Sequence, residues 1–526
     1  MKFLNNQYLC SMSITAKLYT LVSLPSIKKL EESRKNPQKF QDLIFCEQMK
    51  SGEETLFGRE HGIKSTTSLK EFQSNVPLRD YDAFEPYIER LRKGEDYILW
   101  NQKVKWFAKS SGTSSSKSKY IPVTHDSLYN CHFKGIRKML ATYIYQNPGT
   151  SLLDRKALTL GGSVTIDEIG KGRSFYGDLS AVMLSNSNFL VERRRIPERN
   201  IALISDFETK VEAICKIAAK HDVSNFSGVP SWNLILLNKI IEYHKIDNIL
   251  EIWPNLELFM HGGINFEPYR EQYKKIIPSS SMNYRENYNA SEGYFAFQDD
   301  AADPSMILTV NNGVFYEFIP MDRLEEALSG EYREFETVST VKVGVNYAIV
   351  ITTNSGLWRY LIGDCVRFTS TYPHKIIVSG RTQLFINTFG EELMINNAES
   401  AISEVCKIHD AVIDNYTVAP IFMTIGAKGS HQWFVEFTKA PSNIQLFTKD
   451  LDKAICSHNS DYEAKRKNNA TMEELKLTIL KNGCFYEWLK SKNKLGGQNK
   501  VPRLSNHRII AEELILINER LNNTNI

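Results

Sequence analysis

The sequence predicts a large α/β body followed by a smaller α+β domain. Three observations carry that prediction. Apolar helix faces and β-type runs alternate as far as residue 380. From Gly380-Arg381 onward the elements become shorter and more regular. The composition, 42% apolar and 24% charged over 526 residues, is that of an ordinary globular chain. The expected division is residues 1–380 and 381–526, with no linker of distinctive composition to mark it.

Taken in order, residues 24–95 read as mainly helical and polar, with Pro37, Pro77 and Pro86 as breakers. Val104–Ala108 is an apolar strand, and Ala157–Leu160 is another. Val211, Ile214, Cys215 and Ala218 fall on one helix face, as do Leu237, Ile240, Ile241 and His244. Phe226-Ser227-Gly228-Val229-Pro230-Ser231 between them reads as a turn-rich connection. Further β-type runs are Met306–Val310, Val314–Ile319, Tyr347–Thr353 and Lys375–Val378. The second domain is expected to hold strands at Leu384–Asn387, Tyr416–Ala419 and Trp433–Thr438. Its helices are expected at Glu399–Lys407, Asn443–Cys456 and the amphipathic Ala511–Leu521.

This composition excludes a disordered chain, a collagen-like chain and a small disulfide scaffold. Lys plus Arg is 64 and Asp plus Glu is 61, so the net charge of +3 argues for neither nucleic acid nor an anionic membrane. No run approaches the roughly 18 to 20 apolar residues that span a bilayer. Asn5, Asn6, Gln7 and Lys17 interrupt the N-terminus, so no signal peptide is expected; Met12 is an alternative start to Met1. The 8 cysteines are dispersed without a Cys-x-x-Cys pair, which predicts unpaired thiols and a cytoplasmic location. Arg193-Arg194-Arg195 reads as a solvated turn. There is no Gly-x-Ser-x-Gly, Gly170–Phe175 lacks the third glycine of a dinucleotide loop, and neither His125 nor His132 has a partner at metal-ligand spacing.

Four stretches offer chemistry. Lys109–Lys119 packs hydroxyls, Gly112 and three lysines into one bend between apolar runs. Such a bend either wraps phosphate oxygens or is a solvated surface loop. Asn283–Gly293 follows the apolar Phe259-Met260-His261 and the pair Gly262-Gly263. Glycines there admit a flat ring on which Tyr288 would stack, and Glu292 would suit a divalent cation with waters; an ordinary turn with Glu292 facing solvent is the alternative. In Gly356–Asp364, an Asp after a Gly suits a ribose diol or a hairpin turn. Lys500 stands on the glycine-rich Gly496–Arg503, which is either a loop able to carry a cation into a site or an ordinary surface loop.

In this order, the Ser110–Lys119 loop, the Tyr288–Glu292 turn, the Tyr360–Asp364 turn and the Lys500 loop resemble a known set. They are similar to the nucleotide motifs and C-terminal lysine of the auxin-responsive-promoter acyl-acid amido synthetases. The likeness looks closest to the bacterial branch, in Trp106–Thr113, Asn225–Trp232 and Phe389–Leu393, and runs from Glu53 to Arg508. That family belongs to the adenylate-forming superfamily. The resemblance implies an adenylate-forming N-terminal body and a mobile C-terminal domain turning about Gly380-Arg381. It implies a ligase that uses ATP and Mg²⁺ to activate a carboxylic acid as an acyl adenylate, then passes the acyl group to an amino acid.

By the same resemblance, Ser110, Ser111, Gly112, Thr113 and Ser114 cradle phosphate, and Lys119 stands at the family's loop lysine. Tyr288 stacks on adenine over Gly262-Gly263, within a nucleotide-binding run that includes Asn289, Ala290 and Ser291. Glu292 helps to hold Mg²⁺, Asp364 binds the ribose, Arg381 contacts nucleotide at the hinge, and Lys500 reaches the α-phosphate. Two departures stand out: Ser115-Ser116 where glycine is common, and Leu361 where an arginine is common. The resemblance implies an acid and an amino acid as substrates; the cysteines and charge add the expectation of a cytoplasmic protein without nucleic-acid or membrane partners, and a monomer is expected. Delivery to a thiol such as CoA is the alternative chemistry. A non-catalytic homologue is a further alternative, against which Glu292, Asp364 and Lys500 all argue.

Overall fold

In a computed structural model of the chain, most of the β-type runs assemble into an eleven-stranded sheet. The structure describes residues 13–110, 119–167, 174–263, 266–382, 385–386, 391, 393–422, 428–459, 462–463, 466, 472–495 and 500–523. The strand order is Val314–Pro320, Asn346–Thr353, Tyr360–Thr371, His374–Arg381, Met306–Leu308, Gly293–Phe297, Asn283–Ala290, Leu258–His261, Val223–Gly228, Lys156–Thr159 and Arg195–Ile196. From Arg195–Ile196 to Asn283–Ala290 the described pairings are parallel. Beyond it, Gly293–Phe297 pairs with Asn283–Ala290 in the antiparallel sense. Asn283–Ala290 is thus the strand at which the sheet changes character.

Parallel neighbours require crossovers. Helix Phe207–Ala218 precedes the strand Val223–Gly228, and helix Pro230–His244 leads from there to Leu258–His261. The first begins where the Asp206 side chain accepts the Thr209 N–H, and it buries Val211, Ile214, Cys215 and Ala218 as one face. A separate four-stranded sheet has the order Lys119–Val123, Trp106–Ser110, Ser174–Gly177, Val164–Asp167.

Three expectations are corrected. Phe226-Ser227-Gly228 is not a connection but the end of a central strand, laddered to Lys156–Thr159 on one side and Leu258–His261 on the other. Asn225 and Ser227 look loop-like, yet two ladders satisfy the strand's backbone, and Pro230 then opens the helix. Pro86 sits inside helix Tyr81–Arg92 instead of ending it. An interior proline costs about 3 kcal/mol or more. Burial of Tyr81, Phe84, Ile88 and Leu91 on one face returns about 1.5–3 kcal/mol for each large apolar side chain. Arg195 is buried, not solvated: its guanidinium donates to Glu192 Oε2 at 2.6 Å and to the Pro197 carbonyl.

The chain divides into two compact units, Met1–Ile264 with Tyr273–Val378, and Asn265–Gln272 with Ser379–Ile526. The second contains a three-stranded sheet of Val412–Ile421, Ser430–Lys439 and Lys476–Leu480. Its core takes Val418 and Trp433 from the sheet, Ile402 and Val405 from helix Ile395–Ile408, and Phe447 and Leu451 from helix Ile444–His458. Phe385–Ile386 pairs with Leu393–Met394, while Leu384 and Asn387 lie outside the described residues. Among the described residues no helix is long and apolar enough to cross a membrane, and no disulfide joins the described cysteines.

Candidate active site

The hydroxyl-rich stretch joins a β-hairpin. Trp106–Ser110 and Lys119–Val123 pair antiparallel, with Ser110 opposite Lys119 on the last rung. Ser111, Gly112, Thr113 and Ser114 lie outside the described residues, as do Ser115-Ser116 and Gly170–Arg173. The Lys119 ammonium stands 5.8 Å from the Tyr81 ring centroid, and the Tyr120 N–H donates to Tyr81 Oη at 2.8 Å. Just upstream, the Arg79 N–H donates to the Arg359 carbonyl at 3.2 Å and the Leu361 N–H to the Arg79 carbonyl at 2.8 Å. The short run Arg79–Tyr81 therefore ties this hairpin to the strand that bears Asp364. Sequence reasoning missed it, because nothing in its composition sets it apart from other helix starts.

The glycine pair ends the strand Leu258–His261. A Cβ on Gly262 would lie 2.3 Å from the Asn287 carbonyl oxygen, so a side chain there would part the two strand ends. Gly263 has φ of 85°, and Asn287 Nδ2 donates to the His261 carbonyl at 2.9 Å. Tyr288 follows on the strand at which the sheet changes from parallel to antiparallel. Its ring meets Phe295 edge-on, with centroids 4.9 Å apart, and its hydroxyl donates to Asp364 Oδ2 at 2.5 Å.

Asp364 is not in a turn. It lies within the strand Tyr360–Thr371, where Ala348 pairs with Cys365 and Val350 with Leu361, so Ile362-Gly363-Asp364 face Ile349 alone. Gly363 has φ of 86° at this bulge. Bulges re-aim side chains, and this one carries Asp364 to Tyr288. The two motifs therefore meet in one place within the first unit.

Ala290 pairs with Gly293, which leaves Ser291 and Glu292 as the tip of a hairpin; both are buried, although a hairpin tip is ordinarily solvated. Only this tip is a turn, since Tyr288, Asn289 and Ala290 are strand. Among the described residues no group of three or more His, Cys, Asp or Glu could cage a metal ion. Mg²⁺ typically binds through one or two carboxylates plus substrate phosphates and waters. The single buried carboxylate of Glu292 fits that arrangement. Asn289 Oδ1 accepts from His132 Nδ1 at 2.9 Å. His132 ends a π-helical stretch, Ser127–His132, of a kind frequent at functional sites. Burial pushes its pKa down to about 4, only partly opposed by the Asn289 bond, so it is neutral at working pH. The sequence carries no signal for this contact.

Arg381 and Lys500 belong to the second unit. Arg381 closes the strand His374–Arg381 and is half-buried; Lys500 is exposed. Gly496–Asn499, and Phe389, Gly390 and Glu392, lie outside the described residues. After Lys500 the chain docks on the strand Val412–Ile421. The Val418 N–H donates to the Arg503 carbonyl at 2.8 Å, and the Ser505 N–H to the Val418 carbonyl at 3.0 Å.

Comparison with known proteins gives a consistent picture. Models of the GH3 family match in consecutive pieces: its N-terminal domain at residues 26–282, its central domain at 307–381 and its C-terminal domain at 396–509. The chain is 23% identical to the indole-3-acetic acid-amido synthetase GH3.4 of Arabidopsis thaliana, over 91% of each chain. It is 24% identical to the jasmonoyl–L-amino acid synthetase GH3.5 of Oryza sativa subsp. japonica, covering 85% of this chain and 88% of that one. Among solved structures, the AtGH3.15 acyl acid amido synthetase in complex with 2,4-DB superposes with a TM-score of 0.77 at 16% identity, covering 94% of this chain and 96% of that one. A 2-hydroxyisobutyryl-CoA ligase in its postadenylation state follows at 0.57 and 12% identity, covering 93% and 91%.

Proposed function

The chain belongs to the GH3 family, and from that premise we propose that it is an ATP-dependent acyl-acid amido synthetase. It joins a carboxylic acid to an amino acid through an acyl adenylate. The observation that carries the reading is the hydrogen bond to Asp364 from Tyr288, on a strand whose Asn287 abuts Gly262 and whose hairpin tip holds the buried Glu292. That bond supports reading the two as the adenine-side and ribose-side residues of one nucleotide pocket. Amide rather than thioester formation is favoured because relatives aligned over nearly the whole chain are named as amido synthetases, whereas the CoA ligase shares only the fold.

The chemistry follows from charge. A carboxylate is a poor acyl donor because oxide would have to leave. Its oxygen attacks the α-phosphorus of ATP, the bond to the β-phosphate oxygen breaks, and pyrophosphate departs. The amine then attacks the acyl carbon, the C–O bond to AMP breaks, and the amine loses a proton. Negative charge gathers on phosphate oxygens in the first step. Lys500 and the backbone N–H groups of Ser110–Ser114 answer it, with Lys119 on the last rung of the hairpin opposite Ser110. Asp364 holds the ribose, and Tyr288 with Asn289, Ala290 and Ser291 lines the adenine against Gly262-Gly263. Mg²⁺, held by Glu292, supplies countercharge to the phosphates when bound. Gly380-Arg381 serves as the hinge between half-reactions. The protein is read as a cytoplasmic monomer; the dispersed cysteines support the location, and the balanced charge supports the lack of nucleic-acid or anionic-membrane partners.

The test is a pyrophosphate-exchange screen over aryl, jasmonate-like and fatty acids, followed by amino acids and CoA offered in parallel to the trapped adenylate. Exchange that depends on an acid, with an amide as product, is expected. Absence of acid-dependent exchange would overturn the enzyme reading, and a thioester product the amide reading.

A further inference from the structure

We infer that Arg503 is a positioning residue for Lys500, clamping the lysine's segment to the second unit through Tyr269 and the strand Val412–Ile421. The inference rests on the reading of Lys500 as the cation of the adenylation step.

Arg503 is fixed at both ends. Its carbonyl accepts the Val418 N–H at 2.8 Å. Its guanidinium donates to Tyr269 Oη at 2.9 Å, to the Tyr416 carbonyl at 2.9 Å and to Asn415 Oδ1. The guanidinium carbon also lies 4.6 Å from the centroid of the Tyr416 ring, which is itself stacked on Trp433. The carboxyl groups of Asp414 and Glu399 act on this cluster; burial raises the Asp414 pKa, and Arg503 opposes that rise. A planar fork with several fixed donors serves three acceptors at once, which an ammonium does not reproduce.

Between this anchor and Lys500 stand only Val501, which is buried, and Pro502, whose carbonyl accepts the Thr417 hydroxyl at 2.5 Å. Three peptide steps span at most about 11 Å, so the anchor limits where Lys500 can be presented. Tyr269 adds a second constraint. It comes from Asn265–Gln272, which the chain enters directly after Gly262-Gly263 and which packs with the second unit. Gln272 Nε2 fastens the same piece to the Ile413 carbonyl at 3.1 Å. The clamp therefore joins the lysine's segment to the stretch of chain leaving the glycine pair.

The experiment uses the full chain and the variants Arg503→Lys, Tyr269→Phe and Lys500→Ala. Acid-dependent pyrophosphate exchange, acyl transfer from a synthetic acyl adenylate and thermal melting are measured for each. Misplacement of a catalytic group by about 1 Å costs up to about 100-fold. Arg503→Lys is expected to lower kcat of exchange by about 10- to 100-fold, with KM for ATP and the transfer rate unchanged. Tyr269→Phe keeps the buried ring and shifts kcat in the same direction by less; it decides the matter alone if Arg503→Lys fails to fold. Equal loss of exchange and transfer, or full exchange in both variants, would overturn the inference. Full exchange in Lys500→Ala would instead overturn the role of Lys500. Lost exchange in Lys500→Ala beside full exchange in Arg503→Lys would remove this inference alone.

Discussion

Tyr288 donates its hydroxyl to Asp364 at 2.5 Å across a sequence separation of 76 residues. One comes from the strand where the sheet changes from parallel to antiparallel, the other from a glycine-bearing bulge on Tyr360–Thr371. Hydrogen bonds to charged groups contribute about 1.5–3 kcal/mol. Asp364→Asn is therefore expected to raise KM for ATP by about 10- to 100-fold in pyrophosphate exchange. Tyr288→Phe keeps the ring and should cost about 2- to 10-fold. An unchanged KM in Asp364→Asn would separate this carboxylate from the nucleotide.

Lys500→Ala is expected to slow adenylation by about 100- to 1000-fold, the usual effect of losing one pre-placed charge donor. Acyl transfer from synthetic acyl adenylate should persist. Rapid-quench measurement of each half-reaction distinguishes this from equal loss in both, which would deny the residue its step.

Gly262→Ala should separate the strand ends, because the new methyl would meet the Asn287 carbonyl at 2.3 Å. Overpacking of this kind costs about 1–3 kcal/mol. A lower urea midpoint together with weaker ATP binding is expected; a wild-type midpoint would show that the two strand ends tolerate separation.

Arg359 and Glu317 form a buried forked pair, with side-chain exposures of 2% and 1% and donor distances of 3.0 and 3.1 Å. The remaining guanidinium nitrogen donates to the Gln73 and Val76 carbonyls at 2.9 and 2.8 Å. Removing one partner strands a buried charge and costs about 3–5 kcal/mol. Arg359→Met should show that loss in chemical denaturation, and replacing both partners with apolar residues should recover part of it.

His132 gives stability a pH dependence. The unfolded chain protonates it near 6.5, whereas burial holds the folded pKa at about 4. Between those values the unfolded state binds more protons. The contribution is complete above 6.5 and declines as pH falls toward 4, by up to about 3 kcal/mol. His132→Asn should flatten the difference in urea stability between neutral pH and about pH 5. A slope equal to wild type would show that the imidazole protonates freely in the fold.

Much of the first unit was legible because its signals are local. The apolar run Phe259–His261 ending in glycines, and the helix face of Val211, Ile214, Cys215 and Ala218, need no partner to be read. What was misread depends on distant chain. Gly363-Asp364 looks like a turn, and only the register against Asn346–Thr353 makes it a bulge. Phe226–Gly228 looks like a connection until two ladders enclose it. Arg195 looks solvated until the ladder to Lys156–Thr159 carries it indoors, where Glu192 and the Pro197 carbonyl take its charge. The pairing of His132 with Asn289, 157 residues apart, has no trace in either neighbourhood.

The second unit includes Asn265–Gln272, so it is not encoded as one uninterrupted block. A fragment starting after Val378 would leave Tyr269 behind and expose the Arg503 guanidinium to solvent on the side it now covers. Transplanting this unit into a relative would mean moving two separated stretches of the gene together.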